Sequence, residues 1–177
     1  MTLSGKTFFL KPLEDVHAET FSDYINLGLN FSHTFTGSIP MRPVDVASEW
    51  ERERKAGSLQ WAIINAEGVF IGTTGLYSHR DIYRSWEFRI LIGHPGAIGH
   101  GKGTEATRLV VDWGFRRLNA HRIWLGCNEE NIGAVKCYEK VGFKREGVLR
   151  DDIFCNGKYV SAIRMSILEN EWKSTVS

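Results

Sequence analysis

The chain has no long apolar run, no excess of charge of one sign and no cysteine pattern that suggests pairing. No stretch approaches the roughly 20 apolar residues of a membrane-spanning helix, and Met1 to Leu10 has no signal-peptide core, so no membrane partner is expected and the cytoplasm is the expected compartment. Lysine and arginine number 22 against 21 aspartates and glutamates, and a net charge of +1 argues against a nucleic-acid-binding surface. Cys127, Cys137 and Cys155 are odd in number and lack C-x-x-C spacing, so reduced, mostly buried thiols are expected rather than a disulfide framework or a zinc site. The six histidines, at 17, 33, 79, 94, 100 and 121, show no H-x-x-x-H spacing, and no metal is expected. Internal repeats, linkers and low-complexity tracts are missing as well. The charge run Glu49 to Lys55 is balanced in sign and reads as a solvated helix face.

With 42% hydrophobic and 24% charged residues, the 177 residues suit one compact domain over 1–177. Thr7 to Leu13 reads as a strand, followed by a helix capped near Asp15 and running to Ile25. Gly28 to Pro43 reads as a long loop or broken helix. Asp45 to Lys55 has helical spacing, with Val46 and Trp50 on one face. Leu59 to Asn65 and Val69 to Tyr77 suit a hairpin, and Trp86 to Ile92 is another strand. A helix from Thr104 to Arg117, a strand from Arg122 to Cys127 and a helix from Ile132 to Val141 follow. This order suggests a crossover and locally parallel strands. Gly142 suits a helix C′ position, and Asn156-Gly157 a hairpin turn between two last strands. The fold class expected is α+β, with a mixed central sheet flanked by helices.

The densest signal is Ile98-Gly99-His100-Gly101-Lys102-Gly103-Thr104, a glycine-rich turn between a strand and a helix. Glycine tolerates positive φ and close approach, and the helix N-terminus adds partial positive charge, so such a turn cradles an anion such as phosphate. A P-loop needs G-x-x-x-x-G-K followed by Ser or Thr, but Gly103 stands where the magnesium-binding hydroxyl belongs. A dinucleotide loop needs G-x-G-x-x-G with an acid roughly 20 residues on, and neither is present. A third reading, a pyrophosphate loop for coenzyme A, rests on a resemblance.

Here the chain resembles a known family. Ile98 to Gly103 is similar to the Q/R-x-x-G-x-G/A signature of the GNAT acyltransferases, with Ile98 where the family has Gln or Arg. Asn131-Ile132-Gly133-Ala134-Val135-Lys136-Cys137-Tyr138-Glu139-Lys140-Val141-Gly142-Phe143 resembles the family's N-x-x-A-x-x-x-Y-x-K-x-G-F segment. Glu146-Gly147, Asn156-Gly157-Lys158-Tyr159 and Met165 to Leu168 resemble the branch that acetylates ribosomal-protein N-termini, polyamines and amino sugars. The resemblance runs from about Thr7 to Leu168. It implies a single GNAT-like domain, acetyl-CoA as cosubstrate, and an N-acetyltransferase that moves an acetyl group to a primary amine by direct attack in a ternary complex. A catalytically silent acyl-CoA-binding or interaction module on the same fold is the competing reading, and a homodimer is compatible with either.

The chemistry sets the requirements. An alkylamine with a pKa of about 10.4 is only about one part in a thousand neutral near pH 7, so a general base is useful. Glu87, on what looks like the family's fourth strand, is the candidate; its alternative is a surface ion pair with Arg84 or Arg89. Tyr138 has the family's spacing from Asn131 and is the candidate acid for the leaving thiolate, against a packing role for its ring. The resemblance assigns Asn131 to the pantetheine arm, beside its role as an N-cap. It assigns main-chain groups of Leu91 and Ile92 to the thioester carbonyl and pantetheine. Gly101, Gly103 and Thr104, with their neighbours Ile98, Gly99 and His100, form the pyrophosphate site; Lys102 either adds charge there or is solvated. For the acceptor, Phe31, Phe35, Met41, Trp50 and Trp61 would wall an apolar slot or form core. Glu14, Asp15, Glu19, Asp23, Asp45 and Glu49 would attract an ammonium, without selecting among polyamine, amino sugar and protein N-terminus.

Overall fold

A computed structural model describes residues 1–27, 39–155 and 157–176. Eight strands form one sheet: β1 (Leu3–Ser4), β2 (Phe8–Pro12), β3 (Leu59–Asn65), β4 (Phe70–Arg80), β5 (Ser85–Ile92), β6 (Arg122–Asn128), β7 (Lys144–Cys155) and β8 (Lys158–Leu168). The helices are α1 (Ala18–Asn26), α2 (Pro43–Lys55), α3 (Lys102–Arg117), α4 (Ile132–Val141) and α5 (Glu169–Val176). Strand order is β1-β2-β3-β4-β5-β6-β8-β7. Every neighbouring pair is antiparallel except β5 and β6, the parallel pair that α3 connects. The α+β domain with a mixed sheet is therefore as the sequence implies.

The departures are local. The expected first helix is split, with a 3-10 turn at Asp15–His17 before α1. β1 and α5 carry too little periodicity to read from sequence. The expected Gly28 to Pro43 loop falls mostly on residues 28–38, outside the described residues, where Phe31 and Phe35 also lie. Asn156 lies outside them too, although Cys155 pairs with Lys158 as a hairpin there requires.

Strand alternation distributes the apolar residues to two sides of the sheet. Trp61 and Ile63 join Leu76, Phe88, Val110, Ile123 and Met165 in the larger core under α3 and α4. Ala62 and Ile64 join Tyr24, Val46, Trp50 and Phe70 on the opposite side, under α1 and α2. α2 shows which force holds it there. Its exposed ion pairs, such as Arg52–Glu49 and Arg42–Asp45, are each worth a few tenths of a kcal/mol. Val46 and Trp50 are 1% and 5% exposed and contribute about 1.5–3 kcal/mol each, so burial decides.

The last three strands are fastened by a charge pair. Arg122 on β6 grips Glu146 on β7 with both terminal guanidinium nitrogens, and Ser166 Oγ on β8 donates to the same carboxylate at 2.7 Å. These partners, Arg122 foremost, hold the Glu146 carboxyl down at about 2 against burial. A depressed carboxylate stabilises the fold fully above its ordinary range near 4.5, and that stability is lost as pH falls toward 2. Because about a third of each side chain is exposed, screening trims the effect. Glu146→Gln is expected to cost about 1–2 kcal/mol at pH 7, with the difference from the parent shrinking between pH 5 and 2. Urea unfolding at several pH values checks this; a difference that does not shrink rules out the carboxylate as its source.

Candidate active site

β5 and β6 begin as neighbours and then part. Their pairing covers Ser85 with Arg122, Trp86 with Ile123 and Glu87 with Trp124, and stops there. Beyond these three pairs a cleft of about 1040 Å³ runs through the sheet, lined on one side by Phe88 to Ile92 and on the other by Trp124, Gly126 and Cys127. The Gly93 N–H donates to the Ile71 carbonyl at 3.0 Å, so alternation turns the peptide groups of Leu91 and Arg89 toward β4 and those of Ile90 and Ile92 toward the opening. On the far side, Glu129 N–H donates to Ser161 O on β8, which leaves the peptide groups of Gly126 facing the opening. This corrects one expectation. Leu91 lines the cleft, but its main chain belongs to the β4 ladder, and the residues placed to offer main-chain groups are Ile90 and Ile92.

The glycine turn lies at one end of the cleft. Gly99 and Gly101 have φ of +83° and +75°, a region where glycine is favoured, and Gly101 is the N-cap of α3. A Cβ at either would meet nothing within 4 Å, so their open side faces free space. The first α3 amide with a helical partner is that of Glu105, bonded to Gly101 O, so the amides of Lys102, Gly103 and Thr104 are available to an anion. Ile98, Gly99, Gly101, Gly103 and Thr104 all line the cleft, and this geometry fits a pyrophosphate. Two expected contributors do not reach it. Lys102 Nζ is turned away to Thr7 Oγ1, 3.0 Å distant, and His100 is exposed outside the cleft. His94 is structural, its Nδ1 accepting from Gly96 N–H at 3.1 Å.

α4 forms the next part of the wall. Asn131 Oδ1 accepts the Ala134 N–H at 3.0 Å as the helix cap, and the residue also lines the cleft. Gly142, with φ +116°, ends the helix as expected. Tyr138 packs edge-on against Phe88 and Phe143, and burial pushes its phenol well above the ordinary range. It lines the cleft, and among the described residues its hydroxyl has no hydrogen-bond partner. The phenol therefore stays protonated and its O–H is free to donate. Cys127 lies nearby on β6, its thiol pushed up to about 11 by burial. All three cysteines are free.

The other end of the cleft carries carboxylates. Arg89 Nη2 contacts Glu87 Oε2 at 2.8 Å, its Nη1 approaches Glu53 Oε1 on α2 at 3.4 Å, and its guanidinium lies 4.1 Å over the Tyr77 ring. Glu87 thus has both the position and the ion pair weighed from sequence: it lines the cleft and it is paired with Arg89. Of the acids expected to attract an ammonium only Glu49 lines the cleft, and it is paired with Arg52; Asp15 and Asp45 are tied to Arg54 and Arg42 elsewhere. Trp50 and Met41 line the cleft, while Trp61 is core, edge-on to Trp113 at 5.2 Å.

Glu53 and Asp152 were missed. Glu53 was legible in principle, four residues after Glu49 and on the same helix face, had the charge run been divided by face. Asp152 was not, because a break in strand register puts it there. Among the described residues, no three His, Cys, Asp or Glu side chains gather to hold a metal ion.

A mixed sheet parted between two parallel strands, with an anion cradle at one end of the opening and a free phenol and carboxylates farther along, defines an acyltransferase class of domain. Residues 9–144 match the Acetyltransferase (GNAT) domain, and the chain belongs to that family. It is 36% identical over 110 residues to the spermidine N(1)-acetyltransferase of Escherichia coli (strain K12), a match covering 62% of this chain and only 59% of that relative. Over 182 residues it is 33% identical to the probable N-acetyltransferase YjcK of Bacillus subtilis (strain 168), covering 94% of this chain and 96% of the other. The crystal structure of spermidine N-acetyltransferase from Vibrio cholerae in complex with CoA and spermine superposes with a TM-score of 0.85 at 27% identity, covering 96% of this chain and 99% of that one.

Proposed function

We propose that this protein is an acetyl-CoA-dependent N-acetyltransferase whose acceptor is a primary amine, with polyamines foremost. The observation that carries the proposal is the continuity of one cleft from the glycine turn, through the opening between β5 and β6, to Tyr138 and Glu87. When bound, acetyl-CoA supplies an activated acyl group as a thioester. The chain's residues do the rest. The amides at the start of α3 and the turn glycines hold the pyrophosphate, and the peptide groups of Ile90 and Ile92 receive the pantetheine arm and the thioester carbonyl. Asn131 serves the same arm while its oxygen caps α4. Glu87 takes the proton from the attacking ammonium, directly or through water, with Arg89 fixing its orientation. Tyr138 donates to the leaving sulfur, which at a thiol pKa near 8.5 needs only modest help.

The acceptor class rests on the resemblance to spermidine N-acetyltransferases and on the carboxylates Glu49, Glu53, Glu87 and Asp152 that line the cleft. A protein N-terminus is the alternative acceptor. A cytoplasmic location and a homodimer belong to the same proposal, β7 standing at the outer edge of the sheet among the described residues, where a second copy could add.

The test is release of free thiol from acetyl-CoA with spermidine, amino sugars and N-terminal Ala or Ser peptides, alongside calorimetric titration of coenzyme A. Turnover is expected with spermidine above the other amines. Binding without turnover on any amine points to a silent module, and failure to bind coenzyme A overturns the donor site.

A further inference from the structure

β7 departs from its partner at one place that bears on the acceptor half of the cleft. Leu149 pairs with Ala162 and Ile153 with Val160, so Arg150, Asp151 and Asp152 all stand opposite the single residue Ser161. Within this bulge Asp151 has φ +54°, a left-handed conformation that a residue with a Cβ adopts at a cost. A bulge re-aims side chains, and here Asp152 is brought into the lining of the cleft together with Leu149.

The ionic state of Asp152 sets it apart from the other acids there. Glu49 is paired with Arg52, and Glu53 and Glu87 with Arg89. Asp152 has no cationic partner among the described residues. The guanidinium on the adjoining strand, Arg164, lies 4.0 Å over the Trp124 ring instead. An exposed carboxylate without a partner, lining a cleft, accepts an incoming ammonium without first giving up an internal ion pair. Its place across the opening also matters. Glu87 is level with Trp124 on β6, whereas Asp152 stands opposite Ser161, level with Glu129 and two strands beyond β6, so the two carboxylates are set apart both across and along the sheet.

We infer that Asp152 binds a second, non-reacting ammonium of the acceptor, and that the β7 bulge thereby makes the cleft prefer extended polyamines over amines with a single nitrogen. The inference rests on the N-acetyltransferase reading above. A monoamine acetylated at Glu87 has no second ammonium to offer Asp152. An extended triamine has one, and this contact contributes to capture rather than to the chemical step, so it appears in KM.

The experiment compares the parent, Asp152→Asn, Asp152→Ala and Asp152→Glu in steady-state kinetics with spermidine, 1,3-diaminopropane and propylamine, with coenzyme A affinity and melting temperature as checks on the fold. The parent is expected to prefer spermidine to propylamine in kcat/KM. Both Asn and Ala variants should raise KM for spermidine about tenfold with kcat within twofold, collapsing that preference, while Asp152→Glu retains most of it. Sodium chloride should raise KM for spermidine more steeply in the parent than in Asp152→Asn. If the parent acetylates all three amines equally, or if the spermidine preference survives in both Asn and Ala variants, the inference fails and the enzyme reading stands. If coenzyme A binds but no amine is turned over by the parent, both fall together.

Discussion

Replacing Tyr138 by Phe is expected to lower kcat about 100-fold while leaving coenzyme A affinity within about threefold, the lower end of what a general acid supplies. The hydroxyl makes no hydrogen bond within the described protein, so its removal breaks no internal contact, and the ring keeps its packing on Phe88 and Phe143. The melting temperature should therefore hold. Loss of rate with retained stability separates a chemical role for the oxygen from a packing role for the ring. Because burial pushes the phenol upward, the parent should show no loss of rate from its ionisation even somewhat above pH 10. An unchanged kcat in the Phe variant would remove Tyr138 from the mechanism.

The largest effect on stability is expected at Gly72. A Cβ built there lies 2.0 Å from the Leu91 carbonyl oxygen and 3.0 Å from Ile92 Cα. Both obstacles are backbone, so no side-chain rotation relieves the clash, and β4 and β5 must shift against each other. Gly72→Ala should cost about 3 kcal/mol or more, which for a chain of this size lowers the melting temperature by about 6–12 °C. Since β5 is also one lip of the cleft, coenzyme A binding should weaken with it. Gly147→Ala on the outer strand is the comparison, because a Cβ there meets nothing within 4 Å. Equal melting temperatures for the two would show that the sheet yields more readily than its geometry implies.

The sequence carried those features that depend on local chemistry. The apolar run within Leu59 to Asn65, helical spacing at Val46 and Trp50, and glycines at 99, 101 and 142 each impose a conformation on their own neighbourhood. The donor loop, α4 and the Glu87 strand were therefore legible. Features that arise from the meeting of distant segments were not. The parting of β5 from β6 after Glu87 leaves no mark in either strand, since each remains an ordinary run of strand-forming residues. The inward or outward parity of peptide groups at Leu91 and Ile92 depends on which neighbour β5 pairs with, and that too is set elsewhere. Lys102 was placed by nearness to the glycines, whereas its ammonium is captured by Thr7 from the far end of the sequence. Asp152 is invisible because the register break that aims it exists only relative to β8.

The two halves of the cleft differ in what they are made of. The donor half consists of peptide groups and glycine turns, so it persists wherever the backbone course persists, with side chains free to drift; even Ile98, in place of a polar residue, leaves that scaffold standing. The proposed acceptor half consists of the side chains of Glu53, Glu87, Arg89 and Asp152, where one substitution changes the charge pattern. A substitution in α2, on the odd-numbered face of β5 or in the β7 bulge therefore alters the charge offered to an acceptor at once, whereas one in the glycine turn's exposed side chains leaves the peptide scaffold in place.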